Sequence, residues 1–79
     1  IPMTPEEKDL IKQIRAQDID LKTREKAMKR LGEIMEESFI LDLLQSQAVI
    51  RALEQIAVSK NAPPSLKRKA KAFLKAYQV

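Results

Sequence analysis

Few side chains in this 79-residue chain are able to do chemistry, and they are unevenly spread. Histidine and cysteine are absent, which removes the commonest general base, the thiolate nucleophile and the soft metal ligands together. A single glycine excludes a glycine-rich phosphate loop. What remains for acid–base or metal chemistry is the carboxylate group Glu36, Glu37 and Asp42. These three fall near a helix end among solvated residues, where carboxylates carry surface charge rather than catalysis. The expectation is a chain that binds without catalysing, with no catalytic residue, no cofactor and no metal.

The cations offer more. All eleven acids lie at or before Glu54, and with ten Lys and Arg up to Lys60 the first sixty-one residues carry −1. The remaining +5 is Lys67, Arg68, Lys69, Lys71 and Lys75, with no acid among them. Such a run favours anionic partners, and nucleic-acid contact through these five residues is one reading. Readers of duplex sequence add Asn, Gln or Arg on an exposed recognition face, and single-strand binders add stacking aromatics. Phe73 and Tyr77 instead keep core spacing, so this contact is secondary. The same lysines also oppose the negative end of a helix dipole and serve as a solvated face.

A second group of polar residues lies in two expected turns, Asp18 to Leu21 and Ser59 to Pro64. If the flanking helices form antiparallel hairpins, both turns lie at one end of a bundle. Small bundles present grooves at such ends, where a disordered segment inserts an aromatic anchor. Asp18 or Asp20 would accept backbone N–H groups of the segment, Ile19 and Val58 would form an apolar wall, and Lys60 would pair with acidic flanks. Asn61 and Ala62 complete the second turn. Each has a plainer use: the aspartates cap helices, Ile19 and Val58 join the core, and Lys60 is free at the surface.

The elements that position these residues follow from apolar spacing. Thr4-Pro5-Glu6-Glu7 combines a cap, a proline at the first helical position and a capping-box glutamate, so a first helix is expected over about 5–16. Its stripe is Leu10, Ile11 and Ile14. A second helix, about 22–37, repeats Ala27, Met28, Leu31, Ile34 and Met35 on its buried face, with Arg24, Lys29, Arg30 and Glu33 opposite. Gly32 lies inside it at a cost of roughly 1 kcal/mol against alanine, which is best explained by close approach of a neighbouring helix. Phe39-Ile40-Leu41-Asp42-Leu43-Leu44 is apolar nearly all round and reads as a short, deeply buried third helix. Ser46 then caps a fourth helix, about 47–58, that buries Val49, Leu53, Ile56 and Ala57. Pro63-Pro64 interrupts, and a fifth helix places Leu66, Ala70, Phe73, Leu74 and Tyr77 on one face. No stretch alternates with period 2 over more than four residues, as a strand would.

These residues resemble a known family. The run Ile40-Leu41-Asp42-Leu43-Leu44-Gln45-Ser46, the helix Val49-Ile50-x-Ala52-Leu53-x-x-Ile56, and the ending Lys69-Ala70-x-x-Phe73-Leu74-x-x-Tyr77 are similar to the N-terminal domain of the elongation factor TFIIS. That module is shared with elongin A, a Mediator subunit and the integrase-binding domain of LEDGF. The resemblance covers Leu31 to Tyr77. Tyr77 stands where many members have tryptophan, the second loop lacks the aromatic of the LEDGF-like branch, and Pro63-Pro64 is extra. The resemblance implies a right-handed five-helix bundle that recognises short linear motifs, acidic with an aromatic anchor, in disordered transcription and chromatin proteins.

Taken together, the expectation is one all-α domain over 1–79, two helical hairpins around a short buried third helix, whose start at Ile1 suits either a piece cut from a longer polypeptide or a processed terminus. It is expected to be monomeric, intracellular and nuclear, with no membrane association, since no apolar run approaches the roughly 20 residues of a spanning helix. Its expected work is protein–protein interaction in transcription elongation or chromatin regulation, through inter-helical loops. The alternatives are the nucleic-acid contact domain and a structural fragment of a helical solenoid.

Overall fold

Thr4 and Glu7 exchange the two bonds of a capping box: Glu7 N–H donates to Thr4 Oγ1 at 3.1 Å and Thr4 N–H donates to Glu7 Oε1 at 2.9 Å. In the computed structural model, which describes residues 1–77, this box starts α1 (Pro5–Arg15). Then follow α2 (Leu21–Ile40), α3 (Gln47–Val58) and α4 (Pro64–Tyr77), and no strand occurs among the described residues. α1 packs on α2 and α3 on α4, with α2 against α4 and a smaller α1–α3 contact closing the bundle.

The core is where the apolar stripes face one another. Ile14, Met28, Leu31, Met35, Val49, Leu53 and Leu66 are its largest fully buried side chains. Phe73, Leu74 and Tyr77 cover it in part from α4. Gly32 is buried because Phe73 lies against it: a Cβ added there would stand 2.5 Å from Phe73 Cζ. The close approach expected of this glycine is therefore made by α4.

Among the described residues the architecture has four helices, not five. The expected short helix over Phe39 to Leu44 does not form, and the segment is not buried. α2 continues through Phe39 and Ile40, and Leu41, Leu43 and Leu44 follow it as exposed residues. The physical reason is how α2 ends. Asp42 adopts the left-handed conformation, φ 56°. Leu43 N–H then donates to Ser38 O at 2.8 Å and Asp42 N–H to Phe39 O at 3.1 Å. This pair of bonds is a Schellman motif, which closes the helix with backbone donors. Beyond it the chain runs without helix to Gln47. Ser46 holds the N-cap position of α3, but its buried hydroxyl bonds to nothing among the described residues.

Arg24 also departs from expectation. It lies not on the solvent face of α2 but on the core stripe with Ala27, Met28 and Leu31, buried to 6% exposure. Among the described residues no helix is long and apolar enough to cross a membrane.

Candidate functional site

The turns after α1 and α3 meet at one end of the bundle, around a cavity of about 210 Å³. Its apolar walls are Ile14, Ile56 and Leu66, all buried. Polar atoms come from both turns and from the helix ends beside them: Gln17 on the first, Ser59 and Asn61 on the second, Arg15 and Gln55 from α1 and α3. Arg15 Nη1 donates to Gln55 Oε1 at 2.7 Å, joining the two helices beside the cavity. No carboxylate lines it.

The side chain that sets the electrostatics is Arg24, in the first turns of α2. Its Nε donates to Ile14 O at 3.0 Å, supplying a carbonyl of the last turn of α1 that has no helical partner. Its Nη atoms have no hydrogen-bond acceptor among the described residues, and the ion pairs found there both belong to Arg30. Ser46 Oγ is the fully buried side-chain polar atom without a partner among the described residues, so the Arg24 Nη atoms reach solvent, and Arg24 lines the cavity. An unpaired guanidinium against an acid-free cavity makes this end of the bundle attractive to anions.

The expected turn residues divide here. Asn61 and Ala62 line the cavity. Asp20 is the N-cap of α2, accepting from Thr23 Oγ1 at 2.7 Å and Thr23 N–H at 3.3 Å. These bonds hold its carboxyl below the usual value of 3.8 and occupy the oxygens that an incoming strand would need. Asp18 and Lys60 are exposed on the turns without lining the cavity. Ile19 is half-buried and Val58 is 77% exposed; the apolar wall is built by Ile14, Ile56 and Leu66 instead. Ser59 lies in the second expected turn, whereas Arg15, Gln17, Arg24 and Gln55 lie outside both. For Arg24 the signal was present: it precedes Met28 by four and Ala27 by three, so it continues the apolar stripe.

The second turn is shaped locally. Ser59 N–H closes α3 onto Ile56 O at 3.2 Å, Asn61 N–H donates to Ser59 Oγ at 3.3 Å, and Pro63 O accepts from Leu66 and Lys67 N–H to open α4. Ser65 Oγ donates to Glu25 Oε2 at 2.8 Å, fixing the start of α4 on α2.

Along α4, Arg68, Lys69, Lys71 and Lys75 are exposed and Lys67 is half-exposed. At 3.6 residues per turn, Lys67, Arg68, Lys71 and Lys75 fall within an arc of about 100°, and none of them forms an ion pair among the described residues. No three acidic side chains gather as cation ligands among those residues. Comparison with the known protein families, with curated proteins and with solved structures finds no match.

Proposed function

We propose that this chain is a protein-interaction module that receives a short segment of a disordered partner between the turns after α1 and α3. The observation that carries this is the convergence of both turns on a cavity with two arginines and no acid. At about 210 Å³ the cavity is smaller than the roughly 300 Å³ at which small-molecule sites begin. It suits one side chain of a longer ligand. Cationic and amide groups make up most of the exposed lining and fit an acidic side chain of such a segment; the aromatic anchor is what the resemblance adds. The resemblance to the TFIIS N-terminal domain supports partners in transcription elongation or chromatin regulation, in the nucleus. Its contribution is weaker than that of the cavity, because in the run Ile40 to Ser46 that carries part of it the expected short helix does not form: Ile40 ends α2 and residues 41–46 are not helical.

The reading is non-catalytic, and its affinity is expected to be micromolar, since a disordered ligand loses chain entropy on ordering. Titrating the isotope-labelled chain with acidic-aromatic peptides should shift amide signals of residues 15–24 and 55–66. Shifts limited to residues 67–75 would instead favour the second reading, phosphate contact by α4. That reading has its own observation, the arc of unpaired cations along Lys67, Arg68, Lys71 and Lys75. Its mark is duplex binding that weakens steeply with salt.

A further inference from the structure

We infer that the cavity between the two turns is a receptor for a single carboxylate, held by the guanidinium of Arg24. The inference rests on the interaction-module reading and names the group that would enter the site.

Arginine offers five N–H donors in a planar fork. In Arg24 one of them, on Nε, is committed to Ile14 O at 3.0 Å. The four on Nη1 and Nη2 have no acceptor among the described residues, although the residue is only 6% exposed and lines the cavity. The cap on Ile14 O uses Nε alone and gives the Nη donors no part in holding the fold. Two adjacent donors in one plane are the complement of a carboxylate, which a guanidinium binds through two parallel bonds.

Charge selects the ligand further. α1 and α3 end at this pole while α2 and α4 begin there, so helix-end partial charges of about half a unit each cancel in pairs. Among the described residues the charged side chains on the cavity lining are Arg15 and Arg24, with no acid beside them. Arg15 is engaged with Gln55, which leaves the Arg24 fork as the cation of the lining without an acceptor among the described residues. One planar guanidinium fork with two parallel donors matches a carboxylate monoanion rather than a phosphoryl dianion. In a peptide that group is an acidic side chain or the chain end.

The test follows the Arg24 Nε–Hε signal and the amides of Asn61 and Ala62 in the isotope-labelled chain. Sodium acetate is titrated against sodium chloride at equal ionic strength. A saturable response to acetate, absent with chloride, is expected. It should weaken at least tenfold in Arg24→Met and by less in Arg24→Lys, which keeps the charge but loses the fork. Two peptides separate the sources: one with capped ends and a single glutamate, one with glutamine in its place and a free carboxyl end. Binding by either upholds a carboxylate receptor. Acetate acting no more than chloride, unchanged acetate binding in a folded Arg24→Met, or inorganic phosphate binding tenfold tighter than acetate overturns it. Should Arg24→Met fail to fold, the Nε–Hε response of the unmodified chain decides alone. Acidic-aromatic peptides that bind the unmodified chain and Arg24→Met equally keep the interaction module and remove the carboxylate receptor. Acetate held at Arg24 with no such peptide binding does the reverse.

Discussion

At the end of the bundle where the α1–α2 and α3–α4 turns meet, an arginine is buried and the cavity walls are partly polar. At the opposite end Phe39, Ile40, Leu41, Leu43 and Leu44 stand in solvent, Ile40 at 70% and Leu44 at 78% exposure. There the α2–α3 connection meets the first residues of the chain and Tyr77, whose ring lies edge-on to Phe39 at 5.7 Å. A charge goes inside at one pole and leucines go outside at the other. The difference follows from what satisfies the helix ends. α1 ends on a carbonyl that a side chain must reach, so Arg24 is drawn inward to Ile14 O. α2 ends on backbone donors of Asp42 and Leu43, so nothing requires the side chains of its exit to turn towards the core.

The comparison breaks if the two poles respond alike to truncation. Leu66 is 1% exposed and forms a wall of the polar cavity; Leu66→Ala should cost about 2–5 kcal/mol in urea unfolding. Leu44→Ala at the apolar pole should stay within about 0.5 kcal/mol. Similar losses would mean that Leu44 is covered in solution.

Gly32 lies between the poles and tests the contact that holds α2 to α4. Alanine there gains roughly 1 kcal/mol of helix propensity, but its Cβ would meet the Phe73 ring at 2.5 Å. Overpacking of this kind costs about 1–3 kcal/mol, so Gly32→Ala should destabilise. In a Phe73→Leu background the same change should turn neutral or stabilising, and a double-mutant cycle reads the coupling. Without that reversal, Phe73 is not what the glycine accommodates.

The legible part of the fold was the part with local signals. The Thr4 to Glu7 box, the stripes of α1 and α3, the Pro63-Pro64 break and the close approach at Gly32 were all written in residue type and spacing. The end of α2 was not, because a Schellman motif ordinarily announces itself with glycine and here Asp42 takes that conformation. An apolar run then looks like a buried helix when it is an exposed exit. At the candidate site, Asn61 and Ala62 could be placed from turn position alone. Arg24 was missed because its charge outweighed its position on the stripe, and Gln55 because its partner Arg15 lies forty residues away.

The two ends of α2 carry the comparison in miniature, one capped by backbone and one by a side chain. At the backbone-capped end, Asp42→Gly should relieve the left-handed conformation and raise stability by about 0.5–1 kcal/mol. A loss would mean that the Asp42 side chain contributes to the exit in some other way. Thermal melts at neutral pH suffice.

At the side-chain-capped end the expected effect is smallest, because Asp20 is exposed and asparagine caps a helix about as well as aspartate. Asp20→Asn keeps the cap geometry and removes the charge alone. The Thr23 hydroxyl, then the Thr23 N–H, hold the Asp20 carboxyl below its usual value of 3.8. Its folded pKa is lowered, so its charge stabilises the fold above 3.8 and that contribution is lost as pH falls through the folded value. The unmodified chain should therefore melt slightly above Asp20→Asn at neutral pH, with the gap closing as the solution is acidified past that point. Other titrating groups are common to both chains and cancel in the difference. A gap that persists or widens in acid would show that the two bonds from Thr23 do not select the carboxylate, and that this end of α2 is held by geometry alone, like the other.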